Sequence, residues 1–194
     1  MYMNKEIKKF FRPAAVCLLA MTLLCGVIYP LIITGAAQIF FPHQANGSII
    51  TVTLKDGSTK DYGSELIAQT FTEPQYLIGR PNLTGSSGPS NLSSVSKQEE
   101  ALVRERAEWL QALDPNNTAD IPSDLVTVSG SGVDPNISQE AAEYQVARIS
   151  AERGISAADV RAVIDRYTTG RFLGFWGEPA VNVLKVNLAL DGLL

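Results

Sequence analysis

Residues 14–41 read AAVCLLAMTLLCGVIYPLIITGAAQIFF, a stretch without one charged side chain in a chain of 194 residues. A helix over 14–37 alone would be roughly 36 Å long, more than the hydrocarbon core of a bilayer requires. Lys5, Lys8, Lys9 and Arg12 precede the stretch against Glu6 alone. Such an excess of positive charge predicts a tail kept in the cytoplasm and a C-terminal domain exported across the cell membrane. The predicted organisation is therefore a cytoplasmic tail over 1–12, a single transmembrane helix over 13–37 and an extracytoplasmic domain over 38–194. Two alternatives compete with a permanent anchor. A cleaved signal peptide has an apolar core of only about 7–15 residues, although Gly35-Ala36-Ala37 offers the small side chains of a cleavage site. Lipid attachment at Cys25 is opposed by the bulky Thr22-Leu23-Leu24 before it.

Outward from this stretch, composition limits the chemistry. Cys17 and Cys25 are the only cysteines, and about 12 Å of helix axis between them is beyond disulfide reach. The exported domain must be held by its apolar core. From His43 onward it carries 12 basic and 19 acidic residues, net −7, which disfavours nucleic acid and anionic lipid as partners. Within the span, Gly26 and Pro30 stand four apart. The proline removes a backbone hydrogen bond and commonly kinks a membrane helix, and the small residue leaves room for a neighbouring helix.

The remainder predicts one α+β domain. Ile49 to Lys55 alternates as a strand, Asp56-Gly57 turns it, and Ser58 to Tyr62 pairs back. Ser64 is expected to cap a short helix bearing Leu66, Ile67 and Phe71. Tyr76 to Arg80, Asp124 to Val128 and Val181 to Val186 read as further strands. Ser96-Lys97-Gln98-Glu99 is a capping box for a helix to about Leu113, with Glu100/Arg104 and Arg104/Glu108 at i,i+4. A helix is expected from Ser138 to Arg153, with Gly154 at its C′ position, and another from Ser156. Asn82 to Ser94 is a Gly/Ser/Asn-rich loop, and loops of that length inside compact domains are commonly functional.

Candidate chemistry is sparse. His43 is the only histidine, so no Ser-His-Asp or Cys-His arrangement can be built, and no metal-ligand spacing is present. A Ser-Lys dyad would pair Ser129 or Ser131 with Lys97 or Lys185, but Gly130-Ser131-Gly132 lacks the frame of a nucleophile elbow. Gly85-Ser86-Ser87-Gly88 and Ser129-Gly130-Ser131-Gly132 both lack the Lys-Ser/Thr of a P-loop, while the helix opening at Ser138 has free N–H groups suited to an anion. The glycines of Ser129-Gly130-Ser131-Gly132 are expected to take backbone conformations closed to other residues, in a loop facing a partner subunit. From the residues alone, a stand-alone single-span sensor or binding domain and an exported serine hydrolase stay open as other readings.

Several longer motifs follow one another: Gln44-Ala45-Asn46-Gly47-Ser48; Gly63-Ser64-Glu65-Leu66-Ile67; Gly79-Arg80-Pro81; Asp124-Leu125-Val126-Thr127 through Ser129-Gly130-Ser131-Gly132 to Asp134-Pro135; Glu143-Tyr144-Gln145-Val146; Gly177-Glu178-Pro179; and Asn187-Leu188-Ala189-Leu190-Asp191. In this order, over nearly the full length, they resemble the KdpC family, the small C subunits of Kdp potassium-transporting P-type ATPases. The resemblance implies an accessory, non-catalytic subunit, needed for an assembled and active pump that imports K+. Its partners would be a channel-like potassium-translocating subunit and a P-type ATPase subunit. It also implies a catalytic chaperone that raises the ATPase subunit's affinity for ATP. Direct nucleotide contact, where implied, falls on Ser87, Gly88, Ser90 and Asn91, and a partner interface on Gly26, Pro30, Ser129, Gly130, Ser131 and Gly132. An exported domain cannot reach cytoplasmic ATP, so such an effect would have to be a coupling transmitted across the membrane. Three positions depart from the family's usual pattern: Pro89 for a flexible glycine, Asn136 for a common histidine, and Ala180 for a frequent arginine.

Overall fold

The computed structural model describes residues 3–81 and 88–194 and divides into two units, Met1–Ser48 and Ile49–Leu194. The fold class is α+β, as expected: one long apolar helix, then a mixed domain of helices and small antiparallel sheets.

In the first unit, α1 (Met3–Leu23) runs through a five-residue π turn, Leu24–Ile28, into α2 (Tyr29–Phe40). The stretch Lys9–Phe40 is long and apolar enough to cross a membrane and has no buried residue in its most apolar window. The interruption predicted at Pro30 takes the form of that π turn. A proline ring clashes with the carbonyl four residues back, which here belongs to Gly26. Widening the turn relieves the clash, and the Tyr29 N–H reaches the carbonyl of Leu24 instead. Pro42 does more than stop the helix: it opens the single turn α3 (Pro42–Ala45). The Gln38 and Asn46 side-chain amides then bond to each other reciprocally at 3.2 and 3.3 Å, and Asn46 also donates to the Pro42 carbonyl at 2.7 Å. Gly47, at φ +86°, carries the chain out of this turn.

The second unit opens with the expected hairpin, β1 (Ile49–Thr53) and β2 (Thr59–Ser64), with a bulge after Ile50. Half of the capping box forms: the Ser96 hydroxyl accepts from the Glu99 N–H at the start of α4 (Lys97–Leu113). The Ser96 N–H goes to the Ser93 carbonyl and the Glu99 carboxylate turns toward Arg106 instead, while Arg104 bonds Glu100 at 3.0 Å. Next come β3 (Asn136–Ile137), α5 (Gln139–Glu143), α6 (Val146–Arg153) and α7 (Ala157–Arg166). After β4 (Thr168–Thr169) and β5 (Ala180–Asn182) the chain ends in α8 (Val183–Leu190). The three short strands form one antiparallel sheet in the order β3-β5-β4. Val181 faces both Ile137 and Thr168 across it. A single apolar core gathers Leu77, Leu110, Leu125, Ile149, Val160 and Val186 from these elements.

Five expectations are corrected. Ser64 closes only a turn, its hydroxyl accepting from Leu66 N–H, because the next amides leave the helical path and Ala68 N–H bonds the Val133 carbonyl. Asp124–Val128 is not a strand. Ser123–Leu125 is a 3-10 turn, the Val126 carbonyl is taken by Arg106 at 2.7 Å, and the Asp124 carboxylate accepts from Ser138 N–H at 2.7 Å. The helix expected over 138–153 is divided at Tyr144 and Gln145, where Asn117 draws off the Tyr144 carbonyl at 2.9 Å. The strand expected over 181–186 stops at Asn182, whose side chain caps α8 by accepting from Lys185 N–H at 3.0 Å; side-chain capping outweighs the β-branched run. Tyr76–Arg80 is irregular, bending at both ends, and joins no sheet, for the reason given below.

Candidate functional site

The structure brings the two Gly/Ser stretches together at one point. Gly132 has φ +72°, and a Cβ added there would lie 1.9 Å from the Gly88 carbonyl oxygen. The two backbones therefore touch where any side chain would hold them apart. Gly130 differs: it is exposed, lacks a positive φ, and a Cβ there would meet nothing within 4 Å. The glycine requirement expected of this loop belongs to Gly132, and Gly130 does not share it. Of the other nucleotide candidates, Ser90 accepts from Leu92 N–H within its own turn. Asn91 is exposed in the left-handed region at φ +54°, which asparagine tolerates. Ser87 lies outside the described residues.

Serine chemistry in the 129–132 loop is structural. The buried Ser129 hydroxyl accepts from Gly132 N–H at 2.9 Å and Asp134 N–H at 3.4 Å, and lies 3.3 Å from the Ser131 hydroxyl. Ser131 accepts from Val133 N–H at 3.2 Å. An oxygen engaged by two backbone donors in a buried turn is poorly placed to act as a nucleophile. Lys185, a candidate base, is ion-paired with Glu65. Beneath the loop, Arg80 reaches the Val128 carbonyl at 3.3 Å and Asp134 at 4.0 Å. The helix opening at Ser138 is only five residues long. Its Ala141 N–H already meets the Ser138 hydroxyl, and the Asp124 carboxylate is held by the Ser138 N–H just before the helix, so an anion there would face a like charge.

The most heavily engaged side chains are ones that sequence reasoning passed over. Gln145 and Asn187 are each 1% exposed. Gln145 Oε1 accepts from Ile78 N–H at 2.8 Å, and its Nε2 donates to the Ile78 carbonyl at 3.1 Å. Asn187 does the same for Leu77, at 2.7 and 2.9 Å. Two side-chain amides thus stand in for a neighbouring strand, which is why the backbone groups of Leu77 and Ile78 are satisfied without belonging to a sheet. Buried Arg148 continues the grip, donating to Gln145 Oε1 at 2.7 Å, to the Tyr76 carbonyl at 3.1 Å and to the Pro74 carbonyl. Burial pushes its guanidinium below the ordinary arginine value. Arg153 takes the Gln75 carbonyl at 2.7 Å and Asp191 at 2.8 Å. For Gln145 a signal was present, an amide side chain where the helical periodicity expected over 138–153 calls for an apolar one; for Asn187, beyond the expected strand, there was none.

Two open clefts are lined by other residues. One, of about 500 Å³, has Glu65, Asn136, Arg166, Asn182 and Lys185 on its walls. The other, of about 670 Å³, includes Asp114, Asp120, Glu140, Glu143 and Tyr144. Burial, with the Asp114 charge adding, raises the Tyr144 phenol above its ordinary value. The first cleft is mainly polar and the second mainly apolar, with four carboxylates among its lining residues. No group of three or more acidic, His or Cys side chains among the described residues is arranged to hold a metal ion.

Comparison with known proteins gives a consistent result. A family model described as "KdpC: K+-transporting ATPase, c chain" matches residues 11–192. A protein of Listeria welshimeri named "Potassium-transporting ATPase KdpC subunit" is 53% identical over 189 residues, 97% of this chain and 98% of that protein. Proteins of the same name from Clostridium perfringens and a Janthinobacterium species are 50% and 48% identical, over 96% and 95% of this chain and 98% and 99% of their own.

Proposed function

Since the chain belongs to the KdpC family, we propose that it is the accessory subunit of an ATP-driven potassium importer, working beside a channel-like subunit and a P-type ATPase subunit. The observation that carries this reading is near-full-length identity of about half to proteins bearing that subunit's name. The structure is compatible with an assembly role: the hydroxyls and amides most suggestive of chemistry hold the chain's own backbone. The N-terminal apolar helix anchors the protein, and the charge excess before it supports a cytoplasmic N-terminus and an exported domain. In that orientation any effect on the ATPase subunit's affinity for nucleotide is a coupling free energy passed through packed helices. Gly88, Ser90 and Asn91 then serve the loop rather than ATP. Gly26 and Pro30 set the face that the anchor offers a neighbouring helix.

Omitting the chain from a reconstituted complex tests the function. Potassium-stimulated ATP hydrolysis should fall at least tenfold and return when the chain is restored; undiminished hydrolysis would overturn the accessory role. Orientation is checked separately with cysteines at Ser58, Ser156 and Asn4. The first two should react with an impermeant reagent in intact cells and the third should not.

A further inference from the structure

Residues 171–178, RFLGFWGE, form a self-contained hairpin whose tip points four large apolar side chains at solvent. Phe172, Leu173, Phe175 and Trp176 are 69%, 72%, 71% and 69% exposed. Such a cluster is unusual on a domain that faces water alone. It is also held in shape. Phe172 and Trp176 exchange both backbone hydrogen bonds at 2.8 and 2.9 Å, and the Phe175 and Trp176 rings stack at 6.5 Å. Leu173 sits at φ +53°, in the left-handed region where a branched aliphatic side chain is uncommon, between the two bridged residues and beside Gly174 at +81°. Arg171 and Glu178 neutralise each other across the base at 2.6 Å.

We propose that this tip is an anchor that enters an apolar, uncharged pocket on another protein subunit of the complex, an inference that rests on the accessory-subunit reading above. Three observations select this occupant. Anionic lipid is disfavoured because the domain from His43 onward carries net −7 and the tip has no unpaired basic residue to offer a headgroup. A second copy of this chain is disfavoured by the two clefts described on the domain. The smaller is mainly polar, with Glu65, Arg166 and Lys185 on its walls. The larger, though mainly apolar, carries Asp114, Asp120, Glu140 and Glu143 and is not the uncharged pocket that an apolar tip requires. The tip itself combines aromatic residues with a pre-formed backbone, the pairing that gives protein interfaces their strongest contacts with little ordering cost.

The test uses the full-length chain in the membrane-assembled complex. A benzophenone amino acid in place of Phe175 should, on illumination, join this chain to another subunit; products with lipid alone, or with a second copy alone, would overturn the proposal. Independently, Phe172→Ser with Trp176→Ser should lower recovery of the complex about tenfold while the unfolding midpoint of the free chain stays put. Unchanged recovery would overturn the anchor and leave the subunit reading standing. Failure of the unsubstituted chain to co-purify with any subunit would overturn that reading, and the anchor with it.

Discussion

The segment 74–80 and the hairpin 171–178 are both irregular backbone, and they are held in opposite ways. Residues Pro74 to Ile78 have almost no structure of their own; Gln145, Arg148 and Arg153 from α6 and its N-cap, and Asn187 from α8, reach in and bond their carbonyls and amides one by one. The hairpin asks nothing of its neighbours in the contacts described, closing on its own backbone bonds and one ion pair while its apolar groups face outward. Lack of regular structure therefore says little about role. What separates the two is where their unsatisfied surface lies: the first has its polar groups answered inside the domain, and the second leaves its apolar groups unanswered.

The sharpest way to break that comparison is to remove one amide of the clamp. Gln145→Leu preserves bulk but strands the Ile78 N–H and carbonyl in the interior, with Arg148 losing an acceptor. Each buried group left unpaired costs about 1–3 kcal/mol, so the loss should be about 3 kcal/mol in denaturant unfolding of the full chain in detergent. Amide exchange at Leu77 and Ile78 should accelerate with it. A loss within about 0.5 kcal/mol would mean that 74–80 is held by its apolar contacts alone, and the contrast with the hairpin would lapse.

A smaller effect separates two glycines of one loop. Gly132→Ala places a methyl 1.9 Å from the Gly88 carbonyl at a left-handed φ and should cost about 2 kcal/mol. Gly130→Ala meets open space and should stay within about 0.5 kcal/mol. Equal losses would show that the contact between the two Gly/Ser stretches does not support the domain.

The smallest expected change concerns Tyr76, whose hydroxyl donates to Asp191 at 3.0 Å. That hydrogen bond, with burial adding, raises the phenol above its ordinary value. A raised value means that the folded state favours the neutral form. Its contribution is complete below about pH 10 and is lost as pH climbs through the raised value. Tyr76→Phe should therefore cost about 1 kcal/mol at neutral pH and flatten the alkaline decline of the unfolding midpoint. A decline of unchanged steepness would release Tyr76 from the clamp.

Legibility in the sequence followed the range of the interactions. Ser96, Ser156 and Gly154 mark helix ends through bonds to residues at most four away, and each was readable from a short window. The β1-β2 hairpin, closed by Asp56-Gly57, was readable for the same reason. The strand expected at Tyr76–Arg80 failed because its partners are side chains 67 and 110 residues distant, and β propensity records only a fit to an extended backbone. Asn182 was misread in the opposite sense, as one residue inside a β-branched run, when its local cap decided the outcome. In the candidate site, the glycine pairing hid in plain view: spacing could not show which glycine of 129–132 would meet Gly88. Gln145 and Asn187 were quoted as motif residues, and the amide at Gln145 interrupts an apolar helical face, yet their bonds to Ile78 and Leu77 are visible only in the fold.

The π turn at Leu24–Ile28 alters how the membrane helix can be decoded at all. One extra residue in a single turn sets the helical wheel of everything after Tyr29 about 100° out of phase with everything before it. A stripe of side chains that would be straight on an ordinary helix changes side halfway across the bilayer. The residues of α1 and α2 must therefore be plotted on two separate wheels, and deleting one residue between 24 and 28 would rotate the C-terminal half against the N-terminal half while changing the span by only about 1.5 Å.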